Sequence, residues 1–376
     1  MSAPLQPQQF ADLSMPRRWL MGPGPSEVHP RVLRAMATPL VGHLDPDFLT
    51  LLSEIQMLLR GVMRTRNAFT LPISGTGSAG MEACLVNLIE PGDEILIGVA
   101  GVFGERMCEA ARRAGGVVRR IDVPWGRVIE PDQVADELRR GAPKIVALVH
   151  AETSTGALQP LPEIGSLARE AGALFLVDAV TSLAGVDLRV DEWGIDAVYG
   201  GTQKCLSAPP GLSPVSLSPR ACEALQRRKT PCPSWYLDFS LLGAYWGQER
   251  LYHHTAPITM LYALREALRL VAEEGLEARF ERHRRHHRML LQGLTRLGFD
   301  FVVEEAHRLP QLNAVRLPAG RDEATLRRRL LEDYGIEVGA GLGAFKGKVW
   351  RIGLMGESST PNHVHALLGA LSQLLD

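Results

Sequence analysis

Leu174-Phe175-Leu176-Val177-Asp178 and Tyr199-Gly200-Gly201-Thr202-Gln203-Lys204 are the two stretches that decide the fold. The first is a short run that is apolar on both faces and ends on a carboxylate. A strand of that kind is covered on both sides, which is the condition of a parallel sheet held between helices. Its last residue then lies at the ligand-binding edge of the sheet, where a burial-prone carboxylate needs a cationic partner. In isolation the same aspartate also reads as a helix cap or turn. The second stretch closes a strand with two glycines, then places a hydroxyl, an amide and a lysine. Lys204 follows Asp178 by 26 positions (178 to 204), with one connection and one strand between them. Two nearby parallel strands can therefore deliver both side chains to one crevice. A lysine on its own is ordinarily a solvated side chain.

Outward from this pair, apolar runs alternate with amphipathic segments. Strands are expected at Ala68–Ile73, Glu94–Val99, Gly116–Asp122, Lys144–His150, Leu174–Asp178, Ile195–Tyr199 and Gly211–Ser216. Helices are expected at Gly80–Ile89, Phe103–Ala114 and Leu161–Ala171. The pattern is that of an α/β fold with a mainly parallel sheet. From Thr259 a proline-free helical stretch runs to about Leu297. Beyond it, Asp300–Glu305, Gln311–Leu317 and Val349–Gly353 read as strands of a mixed sheet, with helices at Arg321–Tyr334 and Pro361–Leu375. The expected division is an N-terminal arm (1–21), a large domain (22–274) and a smaller α+β C-terminal domain (275–376). A chain of 376 residues suits that arrangement better than one compact core.

Upstream, Ser74-Gly75-Thr76-Gly77-Ser78-Ala79-Gly80 joins an expected strand to an expected helix. Glycines there permit a tight turn and close backbone approach, and a helix start presents free N–H groups to an anion. Thr76 and Ser78 add hydroxyl donors, so a phosphate group suits the loop. Gly75–Gly80 also fits G-x-G-x-x-G, which leaves an NAD-dependent oxidoreductase open. That fingerprint wants an acidic residue at the end of the second strand. The strand runs into Val99-Ala100-Gly101, and Asp93 and Glu94 stand at its other end. A turn with only a structural role is the third reading.

Loop, aspartate and lysine together match the needs of pyridoxal 5'-phosphate, whose phosphate, ring nitrogen and aldehyde call for donors, an acid and an amine. At this point the chain resembles the class V, fold-type I aminotransferases of the alanine–glyoxylate and serine–pyruvate (serine–glyoxylate) group. The resemblance runs through Met21-Gly22-Pro23-Gly24-Pro25-Ser26, Ser74–Gly80, Pro91-Gly92-Asp93, and His150-Ala151-Glu152-Thr153-Ser154-Thr155-Gly156. It continues in Val177–Ser182, Gly200–Lys204, Tyr252-His253-His254-Thr255 and Trp350-Arg351-Ile352-Gly353-Leu354, and so covers nearly the whole chain. It implies a large domain on a seven-stranded sheet. It implies that Lys204 carries the cofactor as a Schiff base and shuttles the proton between substrate and cofactor. Asp178 would pair with the ring nitrogen. Thr76, Gly77 and Gln203 would bind the phosphate, with Ser78 as a further donor where some members have histidine. Phe103 would stack on the ring where tryptophan is common. Thr153 would contact the ring-oxygen region and the substrate, Arg351 the substrate carboxylate, and Gly24 the substrate pocket. Tyr252 and Thr255 would reach the partner's cofactor in a homodimer.

The implied reaction moves an amino group from a small amino acid, serine or alanine, to a small 2-oxo acid, glyoxylate or pyruvate. The alternatives are a ureidoglycine–glyoxylate or 2-aminoethylphosphonate aminotransferase, a lyase, or an idle cofactor-binding protein. A net charge of −1 argues against nucleic acid or an anionic membrane as a partner. The run Arg282–Arg288 reads as a solvated helix face, and His283 and His287 within it have ligand spacing among too many arginines for a metal site. Cysteines 84, 108, 205, 222 and 232 form no C-x-x-C pair, as in a reduced cytoplasmic protein. Cys205 beside Lys204 would suit a desulfurase only on a mobile loop nearer the C-terminus. His253 and His254 read as dimer-interface residues. Met1–Phe10 lacks the pattern of a signal peptide, Gln-Leu-Leu-Asp is not a peroxisomal address, and no apolar run is long enough for a bilayer.

Overall fold

A computed structural model describes residues 11–375. The arm expected over 1–21 is therefore described from Ala11 onward. Met1–Phe10 and the final Asp376, with the targeting readings that fall on them, lie outside the described residues.

Seven strands form the central sheet: β1 (Phe69–Ser74), β2 (Glu94–Val99), β3 (Val117–Asp122), β4 (Ile145–Val149), β5 (Leu174–Asp178), β6 (Ala197–Tyr199) and β7 (Leu212–Leu217). Their spatial order is β1-β7-β6-β5-β4-β2-β3. β7 pairs antiparallel with both neighbours and every other pair is parallel. The sheet is mainly parallel, as the doubly apolar strands require. β4, β5 and β7 are buried along their whole length. Register sets the chemistry: Val149 lies opposite Asp178, and Asp178 opposite Tyr199, so three adjacent strands end side by side.

The C-terminal sheet is fully antiparallel, in the order β8 (Asp300–Phe301), β9 (Leu312–Arg316), β11 (Val349–Gly353), β10 (Gly339–Ala340). This corrects the expected mixed sheet. β8 and β9 follow each other in sequence, as do β10 and β11, and short connections allow only antiparallel pairing. The strand expected over Asp300–Glu305 stops at Phe301, and Glu305–His307 turns as a 3₁₀ segment. A separate apolar core here gathers Leu290, Leu294, Val315, Leu330, Trp350, Leu367 and Leu371. Met21 joins it from the N-terminal side, and Trp19–Leu20 pair in parallel with Ile336–Glu337.

The long helical stretch is two helices, Ile258–Glu274 and Leu276–Arg296, broken at Gly275 with φ 81°. A positive φ is accessible to glycine at little cost, and it ends one helix and redirects the next. Arg282–Arg288 is not a solvated face throughout. His283 and His286 are buried, with His283 Nε2 accepting from the Gly356 N–H and His286 Nδ1 beside Ser359 Oγ. Their helix packs against two surfaces, which a run of charges does not reveal. Helices at Pro30–Met36, Pro46–Met63, Pro131–Arg139, Pro219–Gln226 and Phe239–Trp246 have no counterpart in the sequence reading. The first four open on proline, whose fixed φ and missing N–H suit a first helical position. That was the available signal. No described helix is long and apolar enough to cross a membrane.

Candidate active site

The carboxyl ends of the strands surround one cavity of about 280 Å³. Val149, Asp178 and Tyr199 reach it from β4, β5 and β6. Thr76 reaches it from the turn after β1, Gly77 and Ser78 from the start of the helix that follows, and Phe103 from the segment after β2. Thr153, Gln203 and Lys204 line it as well, whereas Gly24, Arg351, Tyr252 and Thr255 of the expected set do not.

Asp178 is buried, and its Oδ1 accepts from the Val180 N–H at 2.8 Å while Oδ2 accepts from the Tyr199 hydroxyl at 2.8 Å. Burial pushes its carboxyl up to about 6 against those two donors and the charge of Lys204. It has no ion-pair partner among the described residues. A buried carboxylate with two neutral donors and a cavity in front of it is suited to a cation inside that cavity. Lys204 supplies the opposite function. Its amine donates to the Pro23 carbonyl, and burial, then the positive charge of Arg351, hold it down to about 8. An appreciable share of that amine is neutral near pH 7.5, which makes it a nucleophile. Gly24 does not line the cavity; it backs the lysine. Its φ is +102°, and a Cβ there would stand 2.7 Å from Lys204 Cδ and Nζ.

The helix Gly77–Leu88 starts at the cavity with Thr76 as N-cap and no side-chain cap bond. Its first N–H groups and partial positive charge face the opening. A Cβ on Gly77 would meet Val180 Cγ2 at 2.7 Å, so glycine keeps the cradle open. The Gln203 Oε1 is buried without a hydrogen-bond partner.

Opposite, Phe103 is held by its backbone. Its N–H donates to Glu152 Oε2 at 3.2 Å, and the Val102 N–H donates to Ser154 Oγ at 3.0 Å. Arg106 covers the Phe103 ring, with Cζ 4.9 Å from the centroid. Arg351 is buried, with Nε on the Ala340 carbonyl at 2.8 Å and Nη1 near the Thr153 carbonyl at 3.4 Å. Burial lowers it to about 10, and the nearby charge of Glu152 opposes that shift. Arg351 stands behind Thr153 rather than in the cavity wall, and it forms no ion pair among the described residues. Tyr199, Glu152 and Arg106 were missed as site residues. Tyr199 ends the strand that leads into Gly200-Gly201, and that position was the one available signal.

Tyr252 and Thr255 are exposed and away from this chain's cavity. His253 is buried within its own chain, stacked on Trp235 at 4.4 Å, with Nδ1 2.8 Å from His254 Nδ1. His254 in turn meets Ser74 Oγ at 2.9 Å, so the pair braces the end of β1.

Comparison with known proteins agrees with this geometry. The family model for class-V aminotransferases matches residues 19–356. The chain is 43% identical to a (S)-ureidoglycine–glyoxylate transaminase of Bacillus subtilis, over 97% of this chain and 92% of that one. It is 39% identical to an alanine–glyoxylate aminotransferase of Drosophila melanogaster, over 96% and 93%. The crystal structure of an alanine–glyoxylate aminotransferase from Nostoc sp. superposes with a TM-score of 0.97 at 51% identity, covering all of both chains. A parallel sheet whose strand ends bring an acid, an amine and an open helix start to one cavity, in a chain that matches this family from Trp19 to Gly356, makes the protein a member of the class V, pyridoxal-phosphate-dependent aminotransferases.

Proposed function

We propose that the chain transfers an amino group from alanine or serine to glyoxylate or pyruvate, with Lys204 as its catalytic base and acid. The observation that carries the reading is the meeting of Asp178 and Lys204 in one small cavity, with the unpaired guanidinium of Arg351 just behind Thr153. The residues present fit the cofactor. Asp178 would hold the proton on its ring nitrogen. Thr76, Gly77, Ser78 and Gln203, with the helix start, would take the phosphate. Phe103 would cover the ring. When bound, pyridoxal phosphate supplies an aldehyde for the amine and a ring that stabilises negative charge at the substrate Cα. Lys204 would take the proton from that carbon and return it. Arg351 and Thr153 would hold the substrate carboxylate, and Gly24, having no side chain, would leave the Lys204 chain its place at the back of the pocket.

Three further parts belong to this reading. The functional unit is a homodimer in which Tyr252 and Thr255 reach the partner's cofactor; their exposure outside their own cavity supports it. Residues 22–274 and 275–376 act as a large and a small unit, supported by the two separate cores. The enzyme works in the cytoplasm, in keeping with five free cysteines among the described residues.

Borohydride treatment of the holoenzyme should fix the cofactor on the peptide containing Lys204, and alanine with glyoxylate should be the best pair in a substrate panel. Ureidoglycine as best donor would instead favour the activity in the Bacillus subtilis relative's name, the second reading, which 43% identity supports. A label on any other lysine would overturn the site. Arg351→Gln is expected to raise the KM of both substrates about 30-fold, because a charged two-pronged hydrogen bond to a carboxylate is lost. Steady-state kinetics with alanine and glyoxylate check this, and an unchanged KM removes Arg351 from substrate binding.

A further inference from the structure

Outside the cavity, one arginine among the described residues is almost completely buried. Arg279, 2% exposed, leaves the helix Leu276–Arg296 and reaches the turn that carries Lys204. Its Nη2 donates to the Cys205 carbonyl at 2.5 Å, its Nε to the Ala184 carbonyl at 3.2 Å, and its Nη1 pairs with Glu274 at 2.5 Å. One planar group thus holds two turns and a carboxylate in three directions. A lysine, as a point charge, could not do the same.

Both turns contain residues that resist their own conformation. Ala184 has φ 61° and Ser207 has φ 54°, left-handed values that a side chain disfavours. Such residues persist where their surroundings over-determine them, and they gather where geometry serves chemistry. The lysine turn is over-determined. Ser26 Oγ donates to the Lys204 carbonyl at 2.7 Å, Ser207 Oγ accepts from the Glu357 N–H at 2.9 Å, and Arg279 takes the next carbonyl, that of Cys205. The carboxylate that completes the clamp is also well placed. Glu274 ends the helix Ile258–Glu274, beside the break at Gly275. It is shared with Arg282, whose Nε lies 2.5 Å away and whose Nη1 holds the carbonyls of Gly356 and Ser359 at 2.8 Å each. One carboxylate therefore ties the lysine turn to the helix break and to the segment 356–359.

We propose that Arg279 is a positioning residue for Lys204: it fixes the peptide that follows the lysine and anchors it, through Glu274, to the helix break at Gly275. The inference rests on the proposed role of Lys204 in moving the substrate proton. A proton carrier must meet two atoms in turn, and a misplacement of about 1 Å costs roughly 100-fold in rate. A clamp on the neighbouring peptide controls that placement without touching substrate or cofactor.

Arg279→Lys keeps the charge opposite Glu274 and gives up the fork. In the holoenzyme it is expected to lower kcat about 30-fold, with KM within about threefold of the parent. The isotope effect with Cα-deuterated alanine should rise, because proton transfer becomes the slow step. The pH midpoint of the holoenzyme's visible absorbance should move by about 0.5, since the lysine nitrogen sits in a changed environment. Parent values for kcat, isotope effect and midpoint would overturn the inference. So would a lowered kcat or a lowered Tm with isotope effect and midpoint unchanged, the signature of a tie that holds only the fold. If Arg279→Lys does not yield folded protein, Glu274→Gln decides by the same readouts. It leaves Arg279 in place but slackens it, and about a fivefold loss of kcat is expected. Borohydride mapping of the parent holoenzyme separates the two levels. Label absent from Lys204 sinks the functional reading, whereas label on Lys204 with unchanged variants sinks this inference alone.

Discussion

Lys204→Ala is expected to lower kcat for alanine and glyoxylate by about 10⁴-fold, since it removes both the amine that binds the cofactor and the proposed proton carrier. The variant should still fold, because the amine's contact within the chain is the Pro23 carbonyl. It should also still take up the cofactor through Asp178 and the helix start, now removable by dialysis. A small primary amine added to the buffer should restore part of the rate. Activity near that of the parent would remove Lys204 from the chemistry. The parent carries a linked pH dependence. Its amine is held down to about 8 by burial and the charge of Arg351. The neutral, nucleophilic form therefore accumulates as pH rises through about 8 rather than near the ordinary 10.5. Stopped-flow uptake of cofactor by the apoprotein should speed up over that window. A rate still climbing steeply between pH 9 and pH 10.5 would contradict the assignment.

Asp178→Asn should separate activity from stability. On the proposed assignment the variant loses the charge that holds the proton on the ring nitrogen, and kcat is expected to fall about 10²- to 10³-fold, as when one preorganised charge partner is removed. The apoprotein should respond in the opposite sense. Burial raises the Asp178 carboxyl from 3.8 to about 6, so the folded state binds its proton more tightly than the unfolded chain. The stability from that proton is fully present below the unfolded value and is lost as pH rises through about 6. At pH 8 the parent apoprotein thus carries a buried charge costing on the order of 3 kcal/mol, which asparagine does not carry. The asparagine variant should melt higher than the parent apoprotein at pH 8, and the difference should vanish near pH 4. A lower melting temperature at pH 8 would show that the Val180 and Tyr199 donors outweigh the burial.

Much of the frame was legible without coordinates. β2, β5, β11 and the helix Pro361–Leu375 stand where the sequence reading places them, residue for residue. Strands apolar on both faces and bounded by turn residues leave little room for another assignment. The pieces around the cavity were legible for a related reason. A strand end, a glycine-rich turn and a helix start are local structures, and their chemistry is written in consecutive residues. What failed was equally physical. Gly275 breaks a stretch whose apolar spacing continues across it, and periodicity carries no information on φ. The contact of the His253 ring with Trp235, 18 residues upstream, was equally invisible, since it depends on how a distant loop folds back.

The sequence by itself determined that an acid, an amine and a glycine-rich helix start would stand at the carboxyl edge of a parallel sheet. Each of these is set by backbone conformation within a few residues of itself. Only the tertiary structure decided how they are tuned. Register placed the Tyr199 hydroxyl on Asp178, burial moved the two titrations toward each other, and Glu152 fixed the Phe103 backbone. Arg279 reached the Lys204 turn from 74 residues away. Burial and long-range hydrogen bonds depend on which distant segments pack together, and neighbours in a chain do not encode that singly.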